Sequence, residues 1–396
     1  MAALDEVCRH LLIQNFYKAM KRITLSVITV AVTSTLSFAA NAQSSVTLYG
    51  IVDTGIAYVH NSGGHASQWK MSTGNLSGNE WGLKGTEDLG DGLSAVFQLE
   101  NGFDIGSGQM QQNSRLFGRQ AFVGLSSPHY GTVTLGRQYD PISDLLQPIT
   151  ADQFSGFFAT PGDVDNYDSS VRFDNTVKWV SPVWGGFTVE AMYGFGGVAG
   201  ATGSGQTYSA GVSYSHGPLN LAAGYLHIDN GNPTLSTRGT SSADSLFNSP
   251  VNAAYASAKS VNIARAGGQY VIGSVTFGGA YSFSEYMADA ASTFSQSEKY
   301  HNGSVFAMWQ VSPAFTTIVG YSYTKSTGDS SAKYHQVNIG VDYLLSKRTD
   351  VYAMAGYTHA SGNNGTGAAE AVIGSFDIAS GSSSQTMAIV GLRHRF

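Results

Sequence analysis

Gln385-Thr386-Met387-Ala388-Ile389-Val390-Gly391-Leu392-Arg393-His394-Arg395-Phe396 ends the chain on an aromatic residue. Counting back in twos from Phe396 gives His394, Leu392, Val390 and Ala388, a mostly apolar face. The opposite set is Arg395, Arg393, Gly391, Ile389 and Met387. Alternation with period two over about ten residues suits a strand with lipid on one side and something wetter on the other. An edge strand of a soluble sandwich has the same local pattern, so the rest of the chain must decide.

The same beat recurs upstream. In Val46-Thr47-Leu48-Tyr49-Gly50-Ile51-Val52-Asp53 the even positions are apolar, while Thr47 and Asp53 face the other way. Trp81 and Leu83 oppose Glu80, Lys84 and Thr86; Ala95, Phe97 and Leu99 oppose Ser94, Gln98 and Glu100. Val171, Phe173, Val177 and Trp179 oppose Arg172, Asp174, Thr176 and Lys178. Further runs lie near 185–196, 205–216, 218–229, 260–272, 273–287, 298–311, 313–326, 333–345 and 349–361. Short connections such as His216-Gly217-Pro218 alternate with long ones near 60–75, 103–113, 139–170, 230–259 and 361–383. Tight turns on one rim and long loops on the other are what an up-and-down barrel produces. The expected fold is all-β: a 16-stranded antiparallel transmembrane β-barrel, wide enough for a water-filled bore. Tyr49, Trp179, Trp184, Tyr225, Tyr321 and Tyr323, near strand ends, are expected to form interfacial girdles.

Composition agrees. The chain has 48 Gly, 21 Tyr and 20 Phe against 9 Pro, and only 12% of its residues are charged, about half the usual share of roughly 25%. Mean hydropathy is still close to zero, at −0.07. Apolar positions are therefore spread one in two instead of being gathered into helices. Met20-Lys21-Arg22 opens a basic region, an uncharged run from Ile23 to Ala40 follows, and Ala40-Asn41-Ala42 supplies a small-x-small cleavage pattern. Residues 20–42 thus read as a secretory signal peptide for the Sec pathway, too short and too rich in Ser and Thr for a membrane helix. Residues 1–19 read as a mis-assigned extension, with Met20 the true start, and 43–396 as the barrel. Cys8, the only cysteine, lies in that extension, so no disulfide, redox or metal site is expected. Removing residues 1–42 takes away four basic and two acidic residues and moves the net charge from −6 to −8. An acidic chain is a poor match for nucleic acid.

Several segments resemble the general porins of Gram-negative outer membranes, most closely the trimeric β-proteobacterial type. Ser45-Val46-Thr47-Leu48-Tyr49-Gly50 with Asp53 resembles the first strand of that family. Gly82-Leu83-Lys84-Gly85-Thr86-Glu87-Asp88-Leu89-Gly90-Asp91-Gly92-Leu93 looks like its second hairpin. Arg119-Gln120-Ala121-Phe122-Val123-Gly124-Leu125, Leu135-Gly136-Arg137 and Arg172-Phe173-Asp174-Asn175-Thr176-Val177 resemble later strands. Leu345-Ser346-Lys347-Arg348-Thr349 and the segment ending in Phe396 look like the last periplasmic turn and the C-terminal assembly signal.

The resemblance implies a homotrimer in the cell outer membrane, in contact with lipid and lipopolysaccharide and assembled by the barrel-assembly machinery through the C-terminal strand. It implies passive diffusion of small hydrophilic solutes and ions, with no cofactor. It also implies a third loop, about 138–170, folded inward as a constriction. That loop carries Asp140, Asp144, Asp152, Asp163, Asp165 and Asp168 and no Lys or Arg. The alternative is a solvated acidic surface loop. The family's wall arginines map to Arg119 and Arg172, with Lys84 nearby, so the expected constriction comprises Glu80, Lys84, Glu100, Arg119, Asp152, Asp163, Asp165 and Arg172. Opposed carboxylates and guanidinium groups in a narrow passage create a transverse field.

One departure stands out. The residue before Trp81 is commonly Arg in the family and is Glu80 here, so any anion preference is expected to weaken or reverse. An enzyme is disfavoured because the histidines are scattered, in no nucleophile or metal spacing. A substrate-specific channel would carry a run of lumenal aromatics, and none is evident. A soluble β-rich binding or adhesion protein would dissolve without detergent.

Overall fold

The computed structural model describes residues 45–231, 243–244 and 246–396. The expected extension and signal peptide lie outside the described residues. Seventeen strand segments follow in order: β1 (Ser45–Ser62), β2 (Ala66–Thr73), β3 (Glu80–Gly90), β4 (Leu93–Gly102), β5 (Gln120–Ser127), β6 (Gly131–Gln138), β7 (Phe173–Val180), β8 (Phe187–Gly194) and β9 (Thr207–His216). The series continues with β10 (Leu219–Asp229), β11 (Ser260–Ile272), β12 (Val275–Met287), β13 (Glu298–Ser312), β14 (Phe315–Thr327), β15 (Ser331–Leu344), β16 (Thr349–Asn363) and β17 (Ser384–Arg395).

From β3 onward each segment pairs antiparallel with the next. β17 returns to β1, with Ile51 opposite Arg395 and His60 opposite Thr386. On its other side β1 pairs with β2 over Thr54–Ser62 and with β3 over Ser45–Ile51. β2 and β3 therefore lie end to end and together make one stave, so the seventeen segments form a closed 16-stranded antiparallel barrel. Closure leaves no unpaired edge, which hydrocarbon demands because each unsatisfied backbone group there costs several kcal/mol.

Outward positions carry the apolar residues: Val46, Leu48, Ile56, Val390 and Leu392 are all exposed. Phe396 joins the closure, accepting from the Gly50 N–H at 3.2 Å and donating its own to the Gly50 carbonyl at 3.0 Å.

Four expectations need correction. The stretch 60–75 is not a loop: β1 runs on to Ser62 and β2 occupies 66–73. The connection between β14 and β15, on the long-loop rim, is only residues 328–330. Tyr49 is no girdle residue, for its hydroxyl turns inward to Glu100 at 2.6 Å. The alternation across 171–179 breaks at Asn175, whose φ of 55° tilts the strand start, so Val171 and Phe173 are buried within the protein.

The interruption between β2 and β3 turns inward. Gly74 has a φ of 69°, a left-handed conformation suited to glycine. The fully buried Asp53 carboxylate accepts from the Leu76 and Ser77 N–H groups at 2.7 and 2.9 Å, and Asn79 accepts from the Asp53 N–H at 2.5 Å. Leu76 then joins Ala57, Val59, Met354, Met387 and Ile389 on the inner wall. A short helix, α1 (Pro141–Leu146), opens the segment between β6 and β7. Asp140 caps it by accepting from the Ile142 and Ser143 N–H groups, and proline occupies its first turn.

Past α1 the segment crosses the barrel interior. The Phe157 carbonyl accepts from Asn338 of β15 at 2.7 Å, Tyr167 bonds Ser304 of β13 at 3.2 Å, and Tyr286 of β12 donates to the Val164 carbonyl at 2.7 Å. Its phenyl rings sit where the inner wall lacks side chains. A Cβ on Gly340 would stand 2.5 Å from Phe154, and one on Gly356 2.5 Å from Phe157. Replacing both glycines by Ala should unseat the segment, at about 1–3 kcal/mol per overpacked site. Heat denaturation in detergent should show a lower transition, and an unchanged one would mean that these rings do not anchor it.

Candidate functional site

The inner wall below this segment is built by strand ends. Glu80 begins β3, Glu100 lies near the end of β4, Arg119 immediately precedes β5 and Arg172 immediately precedes β7. Register sets Glu100 opposite Gln120 and Glu80 opposite Gly102, which brings the carboxylates beside the residue preceding Gln120. Arg119 then bonds Glu80 through Nη2 at 2.6 Å and Glu100 through Nε at 2.8 Å. Glu100 also accepts from Tyr49 at 2.6 Å and from Gln98 at 3.0 Å. The guanidinium is thus held between two carboxylates, and the trio carries one net negative charge.

Arg172 is held differently. Its Nη1 donates to the Ser170 carbonyl at 2.7 Å, its Nη2 donates to the Tyr139 hydroxyl at 2.6 Å, and its Cζ lies 4.8 Å from the Tyr139 ring centroid. Among the described residues no carboxylate forms an ion pair with it. Neutral acceptors and a ring face fix the planar group without cancelling its charge.

A cavity of about 920 Å³ opens over these groups, lined by Glu80, Arg119, Arg172, Asp152, Asp168 and Asp377 among others. Burial raises Asp152 well above the ordinary carboxylate range, against the opposing pull of the Arg265 charge. Burial likewise raises Asp168, against a hydrogen bond from Ser375 and the nearby Arg172 and Arg119. Asp377, between β16 and β17, is pushed up to about 6 by burial.

The other expected site residues lie elsewhere. Lys84 sits four residues along β3 from Glu80, about 13 Å at strand spacing, with Nζ 5.1 Å from the Tyr49 ring. It lines a separate hollow of about 450 Å³ together with Lys178 and Asp144, which form an ion pair. Asp163 and Asp165 line neither cavity. Asp165 points at the far wall, accepting from Thr160, Ser282 and Asn302. Asp163 is buried behind Asp168, whose N–H it accepts at 2.9 Å, and burial with the neighbouring Asp168 and Asp165 charges raises it strongly.

Sequence reading missed four contributors. Arg265 of β11 stacks its guanidinium 3.9 Å from the Tyr167 ring and donates to the Asn166 carbonyl at 3.3 Å. A lone arginine at inward parity between Ala264 and Ala266 was the available signal. Asp377 lay unremarked in a Gly/Ser-rich loop. Arg115 and Arg137 share Asp174 and Asp244, tying two connections and two strand ends together through partners far apart in sequence.

A family profile described as Gram-negative porin matches residues 27–363. An outer membrane porin protein of Bordetella pertussis is 33% identical over 365 residues, covering 81% of this chain and 90% of that one. The major outer membrane protein P.IB of Neisseria gonorrhoeae is 25% identical over 371 residues, covering 90% and 95%. Among solved structures, the anion-selective porin from Comamonas acidovorans superposes with a TM-score of 0.71 at 26% identity, covering 89% of this chain and all of that one. With its closed barrel, inward-turned charges and apolar exterior, this chain belongs to the Gram-negative porin family and forms an outer-membrane channel for small solutes.

Proposed function

We propose that the channel narrows between Glu80, Arg119 and Arg172 on one side, with Glu100 held behind Arg119, and Asp152 and Asp168 of the inward segment on the other, and that it works as a weakly selective homotrimer. The observation that carries this reading is the double pairing of Arg119 with Glu80 and Glu100. A guanidinium neutralised by two carboxylates contributes little attraction for anions, so the cationic side of the field depends mainly on Arg172. Lys84 supplies a lower tier of positive charge. Asp163 and Asp165 brace the inward segment against the wall behind the passage. The Comamonas acidovorans porin is anion-selective; in this chain the carboxylate at position 80 weakens any such preference.

Solutes are sorted by size and polarity. A transverse field in a partly desolvated passage orients polar molecules and penalises apolar ones. Tyr255, Tyr286 and Tyr300 are buried against one another, Tyr334 belongs to the same buried cluster, and none of them lines either cavity, which disfavours a sugar-stacking channel.

Planar-bilayer recordings in a salt gradient test the reading. Glu80→Arg should raise the anion-to-cation permeability ratio on the order of tenfold, the equivalent of about 1.4 kcal/mol, and Glu80→Gln by less. Arg172→Gln should move it the opposite way. An unchanged reversal potential in all three removes these side chains from the passage.

Acidity should act in a defined direction. A carboxyl with its pKa raised to about 6 is ionised at pH 7 and neutral at pH 5. The wild-type channel should therefore become less cation-preferring as pH falls through about 6, and Asp377→Asn should flatten that step. An identical pH profile in the variant would place Asp377 off the ion path.

The terminal aromatic is proposed as the recognition signal for assembly. Phe396→Ala should lower the amount of heat-modifiable trimer recovered from outer membranes while the precursor is still exported. Undiminished trimer would remove that role.

A further inference from the structure

Gln111 and Gln112 line the 920 Å³ cavity, although they belong to the connection between β4 and β5 and not to the inward segment. Gln112, Asn113 and Ser114 have φ of 50°, 60° and 60°. Left-handed backbone is costly for any residue with a Cβ and is normally visited one residue at a time. Among the described residues no other run of two or more non-glycine residues shares it. Strain of this kind persists only where the surroundings over-determine it, and it collects at functional positions.

Both ends of the turn are fixed. Upstream, Phe103 and Met110 pair as a β-bridge, and the Asp104 carboxylate accepts from the Ser107 N–H at 2.8 Å and from the hydroxyl of Thr73, the last residue of β2, at 3.0 Å. Downstream, Asn101 donates to the Leu116 carbonyl at 2.5 Å, Arg137 donates to the Gly118 carbonyl at 2.7 Å, and Arg115 pairs with Asp244 at 2.7 Å. The left-handed residues between these anchors decide where Gln112 points. Its side chain lies against two glycines. A Cβ on Gly102 would collide with Gln112 Oε1, and one on Gly118 would stand 2.6 Å from the Gln112 Cβ. Arg119 Cδ would stand 3.2 Å from the same Gly102 position, so the carboxamide lies beside the Arg119 stem. Gln112 Oε1 is buried without a partner, and among the described residues no hydrogen bond within the protein engages the amide nitrogen. An idle carboxamide lowers stability, so folding does not account for its being held there.

We infer that Gln112 is a specificity-determining residue of the channel: its carboxamide hydrogen-bonds the hydroxyl and carbonyl oxygens of uncharged polar solutes as they pass Arg119. The inference rests on the passage running between Glu80, Arg119 and the inward segment. Arg119 is already occupied by two carboxylates, so its guanidinium has little to offer a neutral solute. A carboxamide adds no charge. It therefore sorts neutral solutes by their hydrogen-bonding groups, while the charged residues sort ions. A site that bonds a hydroxyl discriminates against a solute lacking one.

The test uses the full refolded chain. Its readouts are potassium chloride conductance and reversal potential in planar bilayers, and swelling of channel-loaded liposomes in arabinose. Gln112→Leu keeps the bulk and removes the amide, so the ratio of arabinose flux to conductance should fall roughly twofold or more. Gln112→Glu puts a third carboxylate beside Arg119 and should shift the permeability ratio toward cations by about threefold. Gln109→Glu, on the exposed part of the same connection, should leave the ratio in place. Heat-modifiable migration of each variant should match wild type, so that a changed flux is not misfolding. An unchanged flux ratio in Gln112→Leu overturns the role of the amide. An unchanged potential in Gln112→Glu also overturns it, by placing the side chain off the path. If Glu80→Arg moves the potential while both Gln112 variants behave as wild type, only this inference fails; if none of the three moves anything, the passage itself is misplaced. Ser114→Gly, which adopts a φ of 60° without steric cost, should raise the melting temperature in detergent. An unchanged or lower value would show that the turn holds no strain, and that Gln112 is not held in place against a cost.

Discussion

A backbone crossing hydrocarbon must pair every N–H and C=O with another part of itself, and the rest of this molecule is arranged around that demand. The return of β17 to β1 meets it, and the Phe396 amide completes the seam against Gly50. Once the ring is closed, alternate side chains have no choice of environment. One set meets lipid and the other faces the enclosed space. The single broken stave, β2 with β3, is tolerated because the Leu76 and Ser77 N–H groups donate to the Asp53 carboxylate, while Asn79 accepts from the Asp53 N–H of β1.

The enclosed space is not uniformly wet. Ala57, Val59, Ile318, Met354, Met387 and Ile389 all point inward, yet they are buried. They pack against Phe154, Phe157 and Phe158 of the inward segment and Ile373 of the connection before β17. Inward glycines on β15 and β16 give two of those rings their seats. The interior therefore has a dry, packed flank that fixes the segment and an open flank lined with charge. Rigid support on one flank holds Asp152 and Asp168 at the edge of the open space instead of letting them swing through it.

On the charged flank, pairing decides how much field a residue contributes. Arg119, with two carboxylates, and Arg172, with only a hydroxyl, a carbonyl and a ring, are the same residue type in different electrostatic roles.

Strand number, orientation and the lipid-facing set were legible in the sequence, because period-two alternation is a local property that closure only reinforces. Glu80, Glu100 and Arg119 were legible as inward residues for the same reason. Their mutual pairing was not, since it depends on register between β3, β4 and the entry to β5. Tyr49 and Phe173 were misread because apolar or aromatic character does not distinguish a lipid-facing position from one covered by an inward loop. The break at 74–79, the fate of each loop aspartate and the part played by Arg265 were decided by tertiary structure alone. Each depends on which groups meet across the lumen, between partners distant in the chain, and no local periodicity records that distance.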